Sequence, residues 1–310
     1  MRFLVLGGCG FIGSHVVDEL ITSGHEVVVF DRYQERFRAP ITSVIYCQED
    51  FGNRGELENV LANGIDVVIH LVSSTVPQSS NEDPIFDVQT NLIESIALFE
   101  MCIKYHVRKV VFISSGGTVY GVPQASPVPE SHPTLPLCSY GITKLAIENY
   151  LHLFHLLHGM EYVVLRVSNP YGSRQDPHRK QGAAAVFMYK MLKGEDISVW
   201  GDGSVVRDFI HVSDVARACL TASESQYVGT CNVGSSQELS IKQLIVELQE
   251  VTGKPAQVNW LESRNFDVPG IVLDCSRIEK VLSWRPQISL HDGLVDMHNW
   301  MITDIISTKL

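Results

Sequence analysis

The chain has 310 residues, 45% hydrophobic and 19% charged, which gives a large folded core and excludes a mainly disordered chain. Lys and Arg number 24 against 35 Asp and Glu, a formal charge of −11, so the average field repels a nucleic-acid backbone or an anionic membrane. The seven cysteines are odd in number, widely spaced and without a Cys-x-x-Cys pair, which argues against a disulfide framework and a zinc ribbon and points to a reducing cytoplasm.

The opening Met1-Arg2-Phe3-Leu4-Val5-Leu6 has the charged-then-apolar order of a signal peptide, but the apolar run breaks at Gly7-Gly8 and reads as a buried first strand. No apolar run approaches the ~18 residues of a membrane-spanning helix. Strands are expected at Arg2–Leu6, Glu26–Asp31, Ser43–Cys47, Asp66–Leu71, Lys109–Ser114 and Glu161–Val167. Most are near-continuous apolar runs, the mark of parallel strands covered on both faces. Helices are expected between them at Phe11–Ser23, Gly55–Asn63, Ile85–Tyr105 and Ser139–His158. This alternation predicts an α/β fold with a doubly wound parallel (Rossmann) sheet. After Tyr171 the pattern loosens into a polar loop, then a helix near Ala183–Lys193, a short strand at Val206–His211, and a helix at Val212–Ala222 that returns the chain to the sheet. Amphipathic helices at Ile241–Thr252 and Leu290–Ile306 complete a smaller, mixed α/β C-terminal region.

Where the first strand meets the first helix, Gly7-Gly8-Cys9-Gly10-Phe11-Ile12-Gly13 satisfies both Gly-x-x-Gly-x-x-Gly and Gly-x-Gly-x-x-Gly. Such glycines let the backbone turn sharply, approach a pyrophosphate and pack helix on strand, while the helix N-terminus offers free N–H groups to phosphate. Asp31 ends the second strand eighteen residues after Gly13, near the offset where a carboxylate holds the adenosine ribose. A carboxylate there repels a 2′-phosphate and favours NAD over NADP. The neighbouring Arg32 either softens that preference or is a solvated charge, and Asp50 is either an adenine contact or a loop cap.

Tyr140 and Lys144 are four residues apart at the start of a predicted helix, so their side chains share a face. A tyrosine titrates near 10 in water and needs an adjacent cation to act as a base near neutrality, which Lys144 supplies. Ser114-Ser115-Gly116-Gly117-Thr118-Val119-Tyr120-Gly121 ends the preceding strand. His152, His155 and His158 lie on one helix without an accompanying acid at ligand spacing and read as an exposed or interface face, so no metal is expected. Cys138 reads as a packing residue.

With these motifs, and with His70-Leu71-Val72-Ser73, Asn91, Leu165–Gly172, Arg207–Val212 and Arg264-Asn265-Phe266-Asp267, the chain resembles the extended short-chain dehydrogenase/reductase superfamily over nearly its whole length. Within it, the resemblance is to nucleotide-sugar epimerases of the UDP-galactose 4-epimerase kind. It implies that Gly7, Gly10, Phe11, Ile12, Gly13, Asp31, Asp50, Phe51, Leu71 and Asn91 contact or frame NAD, with Arg32, Val72, Ser73, Ser114, Tyr140 and Lys144 completing the cofactor site. It implies that Asn169 touches the sugar nucleotide and that Val199 or Trp200 lies near its base. Arg207 and Arg264, with Asp267 beside the latter, are implied to meet the diphosphate, for which guanidinium forks are suited.

The motif departs from its relatives at Gly116, where they usually carry the Ser or Thr that bridges the sugar and the tyrosine, so Thr118 or Ser115 is the candidate catalytic hydroxyl. Gly117 and Thr118 also stand where sugar dehydratases carry an Asp-Glu pair, which leaves elimination chemistry without its acid and base. The implied activity is NAD-dependent C4 epimerisation of a nucleotide-diphosphate sugar, a UDP-hexose or its N-acetyl form, through a transient 4-keto sugar. UDP-glucuronate epimerisation, a nucleotide-sugar reductase or dehydrogenase, and a non-catalytic dinucleotide-binding regulator are the alternatives. The implied organisation is a cytoplasmic homodimer packed through Ile85–Tyr105 and Ser139–His158. Residues 1–170 with a return segment at 205–233 would bind NAD, and 171–204 with 234–310 would bind the sugar nucleotide.

Overall fold

The computed structural model describes residues 1–178, 182–262 and 270–306. The strands are β1 (Arg2–Leu6), β2 (Glu26–Asp31), β3 (Val44–Gln48), β4 (Val67–His70), β5 (Lys109–Ser115), β6 (Glu161–Val167) and β7 (Asn169–Tyr171). They continue with β8 (Ile197–Trp200), β9 (Val206–Arg207), β10 (Phe209–His211), β11 (Gly229–Val233), β12 (Leu239–Ser240), β13 (Val258–Leu261) and β14 (Gly270–Ile271). The helices are α1 (Phe11–Thr22), α2 (Arg54–Leu61), α3 (Pro84–Asp87), α4 (Glu94–Lys104), α5 (Ser139–His158), α6 (Ala183–Lys193), α7 (Val212–Glu224), α8 (Ile241–Thr252), α9 (Ser276–Leu282) and α10 (Leu290–Trp300).

Seven strands form one parallel sheet in the order β11-β6-β5-β4-β1-β2-β3, the doubly wound arrangement expected from the alternation of elements. The chain leaves β1 toward β2 and β3 on one side and crosses back to β4 on the other, which opens a crevice at the carboxyl ends of β1 and β4. Residues alternate between the two faces, so Phe3 and Val5 of β1 join one core while Leu4 and Leu6 join the other. The first core is closed by α1, α7 and α9 through residues such as Val17, Leu20, Ala218 and Ile278. The second is closed by α2, α4 and α5 through Leu57, Leu98, Phe99 and Leu151. A third core outside the sheet joins α6, α8 and α10 to β8 through Met188, Leu244, Met297 and Ile197.

Several element boundaries differ from the sequence expectation. The helix expected over Ile85–Tyr105 is interrupted by a π-helical turn at Val88–Ile93, and its last helical segment ends at Lys104. There the Asn91 amide donates to the Asp87 carbonyl (3.1 Å) and carboxylate (3.0 Å), contacts that an apolar pattern does not register. The strand expected at Val206–His211 breaks at Asp208, whose buried carboxylate accepts the Ser235 N–H (2.8 Å) and the Leu273 N–H (3.1 Å). That break sends β9 to pair with β12 and β14, and β10 to pair with β7. The helix expected to run to Ile306 becomes π-helical from Met301.

Candidate active site

A cavity of about 490 Å³ opens at the carboxyl ends of β1, β2, β3 and β4. Gly7, Gly10, Asp31, Arg32, Asp50, Phe51, Leu71, Val72 and Ser73 all line it, so nine of the expected cofactor residues share one wall. Gly7 has φ +83°, a left-handed turn that glycine adopts freely. A Cβ on Gly13 would be driven into the Gly7 carbonyl oxygen, and one on Gly8 would stand 2.8 Å from the Val29 methyls. The cradle therefore exists only with glycines. No side chain caps the N-terminus of α1 at Gly10 and no acid sits in its first turn, which leaves N–H groups and a positive helix end for a diphosphate.

Asp31 accepts the Cys9 N–H (3.0 Å) and the Tyr33 N–H (2.9 Å), which aims its carboxylate at the cavity rim with lone pairs to spare for ribose hydroxyls. Burial pushes its pKa up and the two N–H donors pull it back. Arg32 and Arg36 lie over the Tyr33 ring at 5.0 and 5.8 Å, a cationic wall facing the same space. Asp50 is exposed and accepts the Gly52 N–H (2.9 Å), so it caps its own loop while lining the cavity. The donor set, the glycine cradle and the cavity together fit a dinucleotide.

Not every expected cofactor residue faces that space. Phe11 and Ile12 are half-buried on α1, with Ile12 packed on the first core. Asn91 is buried, and its amide oxygen accepts the Ser74 N–H (2.8 Å), so it braces a cavity-lining loop from behind. The buried Ser114 hydroxyl donates to Glu148, which takes a forked ion pair from Arg166, with 2.6 Å at its shortest.

Lys144 is buried at the start of α5 and donates to the Ile113 carbonyl (3.0 Å). Its ammonium stands 5.7 Å from the Tyr140 ring centre and 4.6 Å from that of Phe112. Burial lowers its pKa to about 8, opposed by the charges of Asp87 and Glu148, so it remains mostly an ammonium below that pH. Desolvation raises the Tyr140 hydroxyl to about 12, with Cys138 and Asp87 adding to the rise and a hydrogen bond from Ser115 working against it. The tyrosine therefore holds its proton at neutrality until further positive charge or hydrogen bonding reaches it.

The two candidate hydroxyls beside Gly116 differ. The Ser115 side chain acts on Tyr140, lowering the pKa of its hydroxyl, whereas the Thr118 hydroxyl is buried without a partner among the described residues. Gly116 leaves little room for a side chain, because a Cβ would lie 2.5 Å from Leu273 Cδ1 and 3.1 Å from the Arg166 carbonyl oxygen.

The substrate-side residues are more scattered. Asn169 donates both its backbone N–H (3.0 Å) and its amide (2.9 Å) to the Asp208 carbonyl. Val199 is buried in the third core, while Trp200 at the end of β8 is 43% exposed. Arg207 is half-buried on β9 and donates to the Val206 carbonyl (2.8 Å). Arg264 and Asp267 lie outside the described residues. The histidines of α5 are used locally, His152 with the Tyr162 hydroxyl (3.1 Å) and His155 with the Met160 carbonyl (3.1 Å). All seven cysteines are free, and no helix among the described residues is long and apolar enough to cross a membrane.

Sequence reasoning missed Asp87. Its carboxylate is 1% exposed and accepts from Thr75, Asn91, Ser139 and Thr143, contacts made across up to 56 residues of chain that no local pattern reveals. The one available signal was that Ser139 and Thr143 flank Tyr140.

Residues 3–234 match the model of the NAD-dependent epimerase/dehydratase family. The chain belongs to that family. Its fold is shared with family structures at 30% identity or more. UDP-glucose 4-epimerase of Thermotoga maritima, solved with UDP-glucose, is 36% identical with a TM-score of 0.93 over 97% of this chain and 99% of its own. UDP-N-acetylglucosamine 4-epimerase of Methanobrevibacter ruminantium, in complex with UDP-N-acetylmuramic acid, is 31% identical with a TM-score of 0.93 over 98% and 99%. UDP-glucuronic acid 4-epimerase of Bacillus cereus, in complex with UDP-glucuronic acid and NAD, is 30% identical with a TM-score of 0.87 over 97% and 99%.

Proposed function

We infer that this family member is an NAD-dependent 4-epimerase of a nucleotide-diphosphate sugar, acting on a UDP-hexose. The observation that carries the reading is the buried Lys144 ammonium beside Tyr140, at the carboxyl edge of a sheet whose glycine turn fits a dinucleotide. The three relatives act on different UDP sugars according to their names, which supports the nucleotide sugar as the substrate class above any one hexose.

NAD is held by the Gly7–Gly13 turn, the α1 N-terminus and Asp31, and when bound it supplies the two-electron acceptor that inversion at C4 requires. Tyr140 takes the proton of the C4 hydroxyl and later returns it to the 4-keto sugar. Lys144, anchored on the Ile113 carbonyl, has two further N–H bonds and a positive charge with which to favour the phenolate. Ser115 orders the sugar hydroxyl against Tyr140, a role supported over Thr118 by the effect of its side chain in lowering the Tyr140 pKa. Asn169, Trp200 and Arg207, with Arg264 and Asp267, hold the nucleotide, while Val199 supports them from the core.

Residues 1–170 with 205–233 form the cofactor half, and 171–204 with 234–310 form the sugar half, with α9 of the latter packed back on the main sheet. The chain works in the cytoplasm as a homodimer, a state supported by the apolar Ile85, Phe86, Ile142, Leu153, Leu156 and Leu157 left exposed on α3 and α5.

Purified protein incubated with UDP-glucose, UDP-N-acetylglucosamine and UDP-glucuronate, with products resolved by NMR, tests the reading. A C4 epimer of at least one is expected. No epimer from these or any other nucleotide sugar overturns it, and net oxidation or reduction of nicotinamide without an epimer replaces it with a reductase.

A further inference from the structure

Asp87 is a buried carboxylate that forms no ion pair with a Lys or Arg among the described residues. Burying an ionised carboxylate costs several kcal/mol unless donors surround it, and here four do. Oδ2 accepts the Ser139 hydroxyl (2.7 Å) and the Thr143 hydroxyl (2.8 Å), while Oδ1 accepts the Thr75 hydroxyl (2.5 Å) and the Asn91 amide (3.0 Å). Ser139 and Thr143 bracket Tyr140 in the first turn of α5, and Lys144 follows directly. The same segment is stitched down twice more, by the Tyr140 N–H on the Ser80 hydroxyl (3.0 Å) and the Ser139 N–H on Asn81 (2.9 Å).

We propose that Asp87 is the positioning residue of this site: it fixes the first turn of α5 through Ser139 and Thr143, and its carboxylate, held on the residue that precedes Lys144, sets a negative charge against that segment. Other groups face the pair from each side. Glu148, on the same helix, is neutralised by Arg166 of β6, His70 of β4 is buried and neutral, and Cys138 precedes the helix as a thiol. Of the two carboxylates whose charge acts on Lys144, Asp87 and Glu148, only Glu148 has a Lys or Arg partner among the described residues. Its charge raises the pKa of both Lys144 and Tyr140. Removing it moves both groups to lower pH, a signature that loss of packing does not produce.

The test titrates Lys144 directly by ¹³C NMR of lysine-labelled protein, with the resonance assigned through Lys144→Arg. In Asp87→Asn the Lys144 midpoint is expected to fall by about one pH unit relative to the parent preparation. An unmoved midpoint overturns the proposal. If Asp87→Asn does not fold, Asp87→Ser removes the charge with a smaller side chain and carries the same expectation. Ser139→Ala keeps the carboxylate and cuts one tie, so it is expected to leave the Lys144 midpoint in place and lower kcat about tenfold, and an unchanged kcat rejects the positioning role. The activity arm rests on the epimerase reading above and predicts that both limbs of the pH–kcat profile move to lower pH in Asp87→Asn. If the parent forms no epimer, that reading fails while the Lys144 titration still decides the role of Asp87.

Discussion

A serine at position 116 forces a side chain into space already filled. The added Cβ meets Leu273 Cδ1 at 2.5 Å and the Arg166 carbonyl oxygen at 3.1 Å, and only the first of these belongs to a side chain. Leu273 is itself fully buried against Val119, Tyr120 and Val128, so it has little room to swing away. Overpacking of this kind costs about 1–3 kcal/mol. At about 2 °C per kcal/mol for a chain of this size, Gly116→Ser should lower Tm by about 2–6 °C in a thermal melt. It should also fail to raise kcat, because the Ser115 side chain already acts on Tyr140 and lowers its pKa. Leu273→Ala alone should cost about 2–5 kcal/mol, and the double variant should recover at least about 1 kcal/mol of the summed loss, since the serine enters the space the leucine leaves. A Gly116→Ser protein that melts like the parent and turns over faster would refute the reasoning, and with it the assignment of the catalytic hydroxyl to Ser115.

Ser115→Ala is expected to lower kcat by about 10²-fold with KM little changed, and Thr118→Val to lower it far less, as steady-state rates would record. Asp31→Ser should weaken NAD binding by about tenfold or more and narrow the preference over NADP, read by titration calorimetry with both nucleotides; an unchanged ratio argues against ribose contact. His70, 1% exposed with its pKa lowered by burial to about 3, must bind a proton on unfolding at mildly acid pH. Its contribution to stability is therefore complete above about pH 6.5 and is lost as pH falls toward 3. Urea melts of His70→Leu should show a pH dependence between pH 5 and 6 that is shallower by about 1.4 kcal/mol per pH unit, and an identical slope would contradict this.

The glycine turn and Asp31 were legible because their signals are local. A strand, a glycine turn and a helix are contiguous in Arg2–Thr22, and Asp31 sits at the end of the next apolar run, so spacing points to Gly7, Gly10 and Asp31, while Phe51, Leu71, Val72 and Ser73 on the same cavity wall are implied only by the family resemblance. The Tyr140 and Lys144 pair was likewise legible from helical period. What pattern could not carry was side-chain chemistry acting across distance. The Asp87 carboxylate stitches Thr75 to Ser139 and Thr143, and the Asp208 carboxylate breaks an apolar run by capturing Ser235 and Leu273. Asn91, implied by the resemblance to contact or frame NAD, has partners in Ser74 and Asp87 that no local pattern shows. The short strands β8, β12, β13 and β14 have at most four residues each, too few for alternation to declare itself against flanking loops.

In the proposed function, Tyr140 and Lys144 serve a reversible oxidation at C4 whose hydrogen returns to the same carbon. A UDP sugar that the protein turns over, deuterated at C4 and incubated in ordinary water, tests this most directly by NMR and mass spectrometry of the product. A C4 epimer that retains its deuterium is expected, formed by the parent and not by Tyr140→Phe. An epimer that has exchanged its deuterium for solvent hydrogen, or one formed equally well by Tyr140→Phe, would contradict it.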